Sequence, residues 1–202
     1  MSDSASPAVA HAATVLAADV VVRRATEADV ATIVEFQLAM ALETEGLALD
    51  RAVVTRGVSR PFATPNLADY YVATLPPAAP AHHGVVKIAA AGADSPAVAC
   101  ASDLDSDGRV VVGSLMITFE WSDWRAGSMW WLESVYVVPA CRRGGVFTAM
   151  YRYVEGRMRA DPDAAGLRLY VEEDNVRAQG AYRRLGMELE HYKMMKATKG
   201  AF

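Results

Sequence analysis

Cysteine is scarce. The 202 residues hold two, Cys100 and Cys141, too few for a disulfide framework, and this favours a reducing, cytoplasmic setting. No run approaches the roughly 20 uninterrupted apolar residues that span a bilayer, so no membrane partner is expected. Positive charge is not in excess: 20 Lys and Arg stand against 24 Asp and Glu, a formal net charge of -4. That balance, with no basic and aromatic-rich stripe, argues against nucleic acid as a partner, while tolerating a cationic substrate. His82 and His83 have no Cys or second His pair at ligand spacing, so no metal is expected. Neither a Gly-Lys-Ser/Thr loop nor a G-x-G-x-x-G turn occurs, which removes the commonest nucleotide folds. The opening "MSDSASPAVAHAATVLAAD" lacks the basic start of a secretory signal, and residues 1–18 are expected to form a poorly ordered tail.

Hydrophobic residues make up 52% of the chain and charged residues 22%, a globular balance at a length that suits a single domain, placed over residues 19–202. Asp19 to Arg24 reads as a short strand. Thr26 with Asp29 three residues on forms a capping-box signature, and apolar residues from Val30 onward recur at helical spacing to about Glu45. "LDRAVVTRGVSRPF" reads as a shorter helix closed by Gly57 and Pro61. "DYYVATL" is a strand. An insertion rich in breakers and small residues follows, around residues 76–108, with "VVKIAAAG" as a strand continuation inside it. "RVVVGSLMITFEW" and "MWWLESVYVVP" form a hairpin about "SDWRAG". Val146, Ala149, Met150, Tyr153, Val154 and Met158 mark one face of a long helix. "LRLYVEEDN" reads as a strand, Ala178 to Leu185 as a last helix, and "MELEHYKMMKA" as a last strand. The fold class is α/β, a mixed and mostly antiparallel sheet with helices on both faces.

The most informative stretch is "YVVPACRRGGVFTAMY". A hydrophobic strand stops at Pro139, passes Arg142, Arg143, Gly144 and Gly145, and restarts as a helix at Val146 and Phe147. The first N–H groups of a helix lack internal partners and carry partial positive charge, glycines admit a ligand close to the backbone, and arginines add forked donors. Such a loop suits a diphosphate. An ordinary left-handed turn beside two solvated arginines accounts for the same residues.

This stretch resembles the acetyl-coenzyme-A motif of the GNAT N-acetyltransferase superfamily, Arg/Gln-x-x-Gly-x-Gly/Ala after a strand, read here as Arg142-Arg143-Gly144-Gly145-Val146-Phe147. Phe147 stands where that family usually has Gly or Ala. "NVRAQGAYRRLGM" is similar to the family's N-x-R-A-x-x-x-Y-x-x-L-G-F/M signature through Asn175, Arg177, Ala178, Tyr182, Leu185, Gly186 and Met187. The resemblance implies a sheet splayed in the middle, with acetyl-CoA lodged in the gap as co-substrate. It also implies that Val135, Tyr136 and Val137 offer backbone groups to the acetyl carbonyl and the pantetheine amide. Asn175 either caps the last helix or bonds the cofactor.

Acetyl transfer to an amine needs the free base of a group whose pKa is about 10, donors for a developing oxyanion and a proton for the leaving thiolate. Glu133 interrupts an otherwise apolar strand, where partial desolvation suits a base; a structurally hydrogen-bonded Glu explains it equally, and the resemblance favours the base. Tyr182 is a core aromatic by spacing and the general acid by resemblance. Cys141 adjoins a helix start that activates thiols, but no nearby His supports an acyl-cysteine route, and it reads as a packing residue. Glu43, Glu45, Glu120, Asp123 and Trp124, with Glu172 to Asp174, are candidates for an acidic, aromatic-edged acceptor site, or simply solvated surface. The function expected is transfer of acetyl to a primary amine, on a small molecule or peptide, by direct attack in a ternary complex. The alternative is a non-catalytic or regulatory acyl-CoA-binding module. Exposed edge strands leave room for a homodimer.

Overall fold

The computed structural model describes residues 19–76, 105, 107–197 and 199. The tail at 1–18, "VVKIAAAG", the His82–His83 pair and nearly all of the 76–108 insertion lie outside the described residues. The chain divides after Leu169 into two units.

The first unit is one five-stranded sheet in the order β1-β2-β3-β4-β5. Its strands are β1 (Val21–Arg24), β2 (Asp69–Leu75), β3 (Val110–Ser122), β4 (Gly127–Val137) and β5 (Ala164–Leu169). β1 to β4 pair antiparallel, and β5 joins β4 in parallel. Among the described residues this unit has three α-helices: α1 (Val30–Glu45), α2 (Arg51–Ala63) and α3 (Val146–Ala160). Phe36 of α1 lies on Tyr136 with ring centroids 5.1 Å apart, and Phe62 of α2 stacks on Tyr70 at 5.9 Å. Tyr70, Ser114 and Tyr136 share a sheet face by register, so α1 and α2 cover that face. α3 covers the other, where Tyr153 meets Tyr71 at 5.8 Å. Gly113 permits this approach: a Cβ there would lie 3.0 Å from the Tyr136 carbonyl and 3.3 Å from Met150 Cε.

The first helix is anchored as its capping residues imply. The Thr26 N–H donates to Asp29 Oδ2 at 2.7 Å. The Arg23 guanidinium spans both Asp29 oxygens, at 2.8 and 2.9 Å, and reaches Asp105. Asp29 is buried. Burial alone would push its carboxyl up, but the Arg23 hydrogen bond, the Thr26 amide and the Arg23 charge together hold it below the usual carboxylate range.

Several sequence expectations are corrected. Gly57 and Pro61 do not close α2; both lie within it, and the helix runs on to Ala63. The proline sits in the last turn of the helix, where only Phe62 and Ala63 follow it. The strand expected over "LRLYVEEDN" lies earlier, at Ala164–Leu169, because the ladder with Ser128–Leu132 sets its bounds. The residues after it turn instead, with the Asn175 N–H bonded to the Glu172 carbonyl at 3.1 Å.

The second unit, from Tyr170 onward, contains α4 (Val176–Arg184). The Asn175 side chain caps it by accepting from the Ala178 N–H at 3.0 Å. The strand expected at "MELEHYKMMKA" is absent: residues 187–197 form no strand, and Leu189, Tyr192, Met194 and Met195 are exposed. Alternation alone does not make a strand without a neighbour to complete its hydrogen bonds.

Candidate functional site

The site is built where β4 leaves its neighbour. β4 pairs with β5 only over Ser128–Leu132. From Glu133 to Val137 the edge facing away from β3 has no strand partner among the described residues. Here β4 also bulges: Ser114 pairs with Tyr136 and Met116 with Glu133, so Leu115 alone opposes Ser134 and Val135. Ser134 has φ +51°, a left-handed conformation that is strained for a residue with a Cβ and frequent where backbone serves a ligand. The bulge brings Glu133 and Tyr136, three residues apart, to one face.

A short 3₁₀ turn at Pro139–Cys141 then leads into the arginine–glycine loop. Arg143 (φ +63°) and Gly145 (φ +84°) are both left-handed, and Gly145 is the residue before the first turn of α3. The Gly145 carbonyl accepts from Ala149, as a helix start requires. Among the described residues, the N–H groups of Arg143, Gly144, Gly145, Val146 and Thr148 make no well-aligned hydrogen bond to a protein acceptor, although residues 142–145 form a tight turn. These are the orphan donors of a helix N-terminus, at the end where its dipole is positive. The Phe147 ring meets Tyr151 on the same helix, with centroids 6.3 Å apart. The donor set therefore fits a diphosphate.

The two arginines differ. Arg143 is exposed. Arg142 is engaged on three sides: its Nε donates to the Val137 carbonyl at 2.8 Å, both terminal nitrogens bond the Glu43 carboxylate, one of them at 2.6 Å, and the guanidinium lies 5.6 Å from the centre of the Tyr136 ring. Glu43, a candidate for the acceptor side, is thus joined to the loop instead. Its carboxyl is held below the usual range by the Arg142 hydrogen bond, against the opposing effect of burial. Of the three β4 residues expected to offer backbone groups, Val137 has its carbonyl occupied by Arg142. Cys141 is buried, and burial pushes its thiol up to about 11, so it stays protonated at neutral pH.

Glu133 is half-buried and accepts a hydrogen bond from Thr118 Oγ1 at 2.6 Å. Met116 joins it by register to Tyr70, whose phenol is pushed up to about 12 by burial first and then by the Glu133 charge. Thr118 and Tyr70 were not singled out from sequence, since only strand register reveals them. Glu45 and Glu120 stand apart from Glu43 and Glu133. Glu45 lies about 200° around α1 from Glu43 and is exposed. Glu120 lies four residues along β3 from the row of Glu133, about 13 Å away, accepts from Trp131 Nε1 at 2.6 Å and pairs with Arg168 at 3.8 Å. Trp124 is 91% exposed in the β3–β4 turn. In the second unit Tyr182 is half-buried on α4, and burial raises its phenol above the ordinary range. Among the described residues no cluster of His, Cys, Asp and Glu is suited to a metal, and no helix is long and apolar enough to cross a membrane.

None of the curated proteins matches this sequence. Among solved structures, that of a possible acetyltransferase from Clostridium difficile 630 is 30% identical with a TM-score of 0.70, covering 91% of this chain and 99% of its own. A transcriptional regulator from Bacillus halodurans C-125 is 16% identical (TM-score 0.62; 89% of this chain, 99% of its own). A structure from Clostridium acetobutylicum, described as a predicted acetyltransferase with acetyl-CoA, is 14% identical (TM-score 0.58; 88% and 96%). These last two bear on the fold alone. The Acetyltransferase (GNAT) family model matches residues 65–187, more than half of the chain, and the protein belongs to that family.

Proposed function

We propose that this protein transfers the acetyl group of acetyl-CoA to a primary amine, on a small molecule or a peptide, by direct attack with both substrates bound. Family membership supports acetyl transfer in general; the acceptor and the residue roles are our reading. The observation that carries it is the set of amides at the start of α3 that make no well-aligned hydrogen bond among the described residues, close in sequence to the β4 edge that has no strand partner among them.

When bound, the coenzyme supplies an activated acetyl thioester. The N–H groups of Gly144, Gly145, Val146 and Thr148 hold its diphosphate, with the exposed Arg143 adding charge. The backbone of Val135 and Tyr136 on the free β4 edge positions the pantetheine arm and the acetyl group. Positioning of this kind supplies much of the acceleration in a reaction that needs no covalent enzyme intermediate. Glu133, fixed by Thr118, removes a proton from the ammonium of the acceptor, directly or through a water. Tyr182, from its place in the second motif, protonates the departing thiolate. Its raised phenol pKa keeps that proton in place at neutral pH. Asn175 acts as the cap of α4.

A calorimetric titration with coenzyme A, followed by an acetyl-CoA-consumption screen over polyamines, amino acids, aminoglycoside-like amines and peptides, tests the proposal. Binding with turnover on at least one amine is expected. Binding without transfer to any amine would make the protein an acyl-CoA-binding module instead, and no binding would remove the reading altogether.

A further inference from the structure

We propose that Arg142, the first residue of the coenzyme motif, does not touch the coenzyme: it is a positioning residue that, with Glu43, clamps the diphosphate loop onto helix α1. This rests on the coenzyme reading above and assigns two residues different work within it. The observation is a chain of contacts linking α1 to the loop. Phe36 meets the Tyr136 ring, the Arg142 guanidinium lies 5.6 Å from the centre of that ring, and Glu43 bonds both terminal nitrogens of Arg142. Phe36 and Glu43 are seven residues apart on α1, two helical turns, and so share a face. A guanidinium that bridges a carboxylate in this bidentate way is directed by a planar fork, and its charge is compensated locally.

A third donor of the same side chain, Nε, fixes the loop itself. Arg142 Nε binds the Val137 carbonyl five residues earlier, closing the segment that carries Pro139–Cys141. The next residue begins the left-handed turn that presents the free amides. Holding a loop in its binding conformation before the ligand arrives spares the ordering cost at the moment of binding. Glu43 is thereby a support for the coenzyme site.

The two possible roles of Arg142 give opposite signs for one substitution. If Arg142 bonds phosphate, removing the Glu43 charge frees a cation and tightens coenzyme binding. If Arg142 is a clamp, the same change loosens the loop and weakens binding. Calorimetry with coenzyme A on the full chain is therefore run for the natural protein, Glu43→Gln, Arg142→Met and the double variant. We expect each single change to raise Kd about three- to fivefold, the range for a partly exposed charge pair, and the double variant to be no worse than either single. Order parameters from ¹⁵N relaxation at Arg143 and Gly145, measured without coenzyme, are expected to fall in Glu43→Gln, a readout independent of binding. Unchanged or tighter binding in Glu43→Gln, or additive losses in the double variant, would overturn the clamp while leaving the coenzyme site intact. A natural protein that binds no coenzyme A would instead overturn the functional reading, and the clamp with it.

Discussion

Glu133→Gln is the most informative change on the chemical side. It is nearly isosteric, and the amide oxygen of Gln can still accept from Thr118 Oγ1, which now sits 2.6 Å from Glu133 Oε1. The side chain therefore keeps its place while losing its charge and basicity. A positioned general base is worth about 10²–10⁴ in rate, or roughly 2.7–5.4 kcal/mol of barrier at about 1.36 kcal/mol per tenfold. The half-buried setting of Glu133 and its single short hydrogen bond favour the lower half of that range, about 10²- to 10³-fold in kcat. The loss should also depend on pH. An acceptor amine titrates near 10, so solvent deprotonates more of it as pH rises, and the defect should shrink toward tenfold or less near that value. The assay is thiol release from acetyl-CoA with the fastest amine found in the screen, from pH 6.5 to 10, with coenzyme A binding as a control for fold. A fall of less than threefold at pH 7, or a defect that stays constant across the range, would refute Glu133 as the base.

Tyr182→Phe should lower kcat about 100-fold or more by removing the acid, while the Kd for coenzyme A stays within about twofold; equal losses in both would make Tyr182 a packing residue. Asp29→Asn should cost about 1.5–3 kcal/mol in urea unfolding, because it removes the charge that the Arg23 guanidinium and the Thr26 amide both bond, leaving Asp105 as the counter-charge of Arg23. The folded pKa of Asp29 lies below its unfolded value, so its contribution is present above about pH 4 and is lost as pH falls through the folded value. Urea midpoints of the natural protein should accordingly decline below pH 4 more steeply than those of Asp29→Asn. Peptide-resolved alkylation at pH 8 should leave Cys141 unmodified, as its burial and raised thiol pKa require, and Cys141→Ala should retain turnover. Rapid labelling of Cys141 with loss of activity would reopen an acyl-cysteine route.

Much of the fold was legible because its elements carry strong local signals. The helical spacing from Val30 to Glu45 and the strand "DYYVATL" coincide with α1 and β2, and the break at Arg142–Gly145 falls at the start of α3. What could not be read were features fixed by partners distant in sequence. The bounds of β5 follow from its ladder with β4, and residues 187–197 alternate like a strand without becoming one. The bulge at Ser134 is the sharpest case. Simple alternation puts Glu133 and Tyr136 on opposite faces, yet the extra residue opposite Leu115 unites them. For the same reason Thr118 and Tyr70 looked like ordinary strand residues until register set them beside Glu133. Charge pairing was equally hidden, since Arg142 and Glu43 are 99 positions apart, and each alone resembles a ligand-binding group.

The central claim is that free amides at the start of α3 hold the diphosphate of a coenzyme. Amide chemical shifts recorded during a titration with coenzyme A test it most directly. The account predicts large downfield proton shifts at Gly144, Gly145, Val146 and Thr148, because each N–H gains a charged acceptor it lacks in the free protein. Saturable binding that leaves those four resonances in place would contradict it.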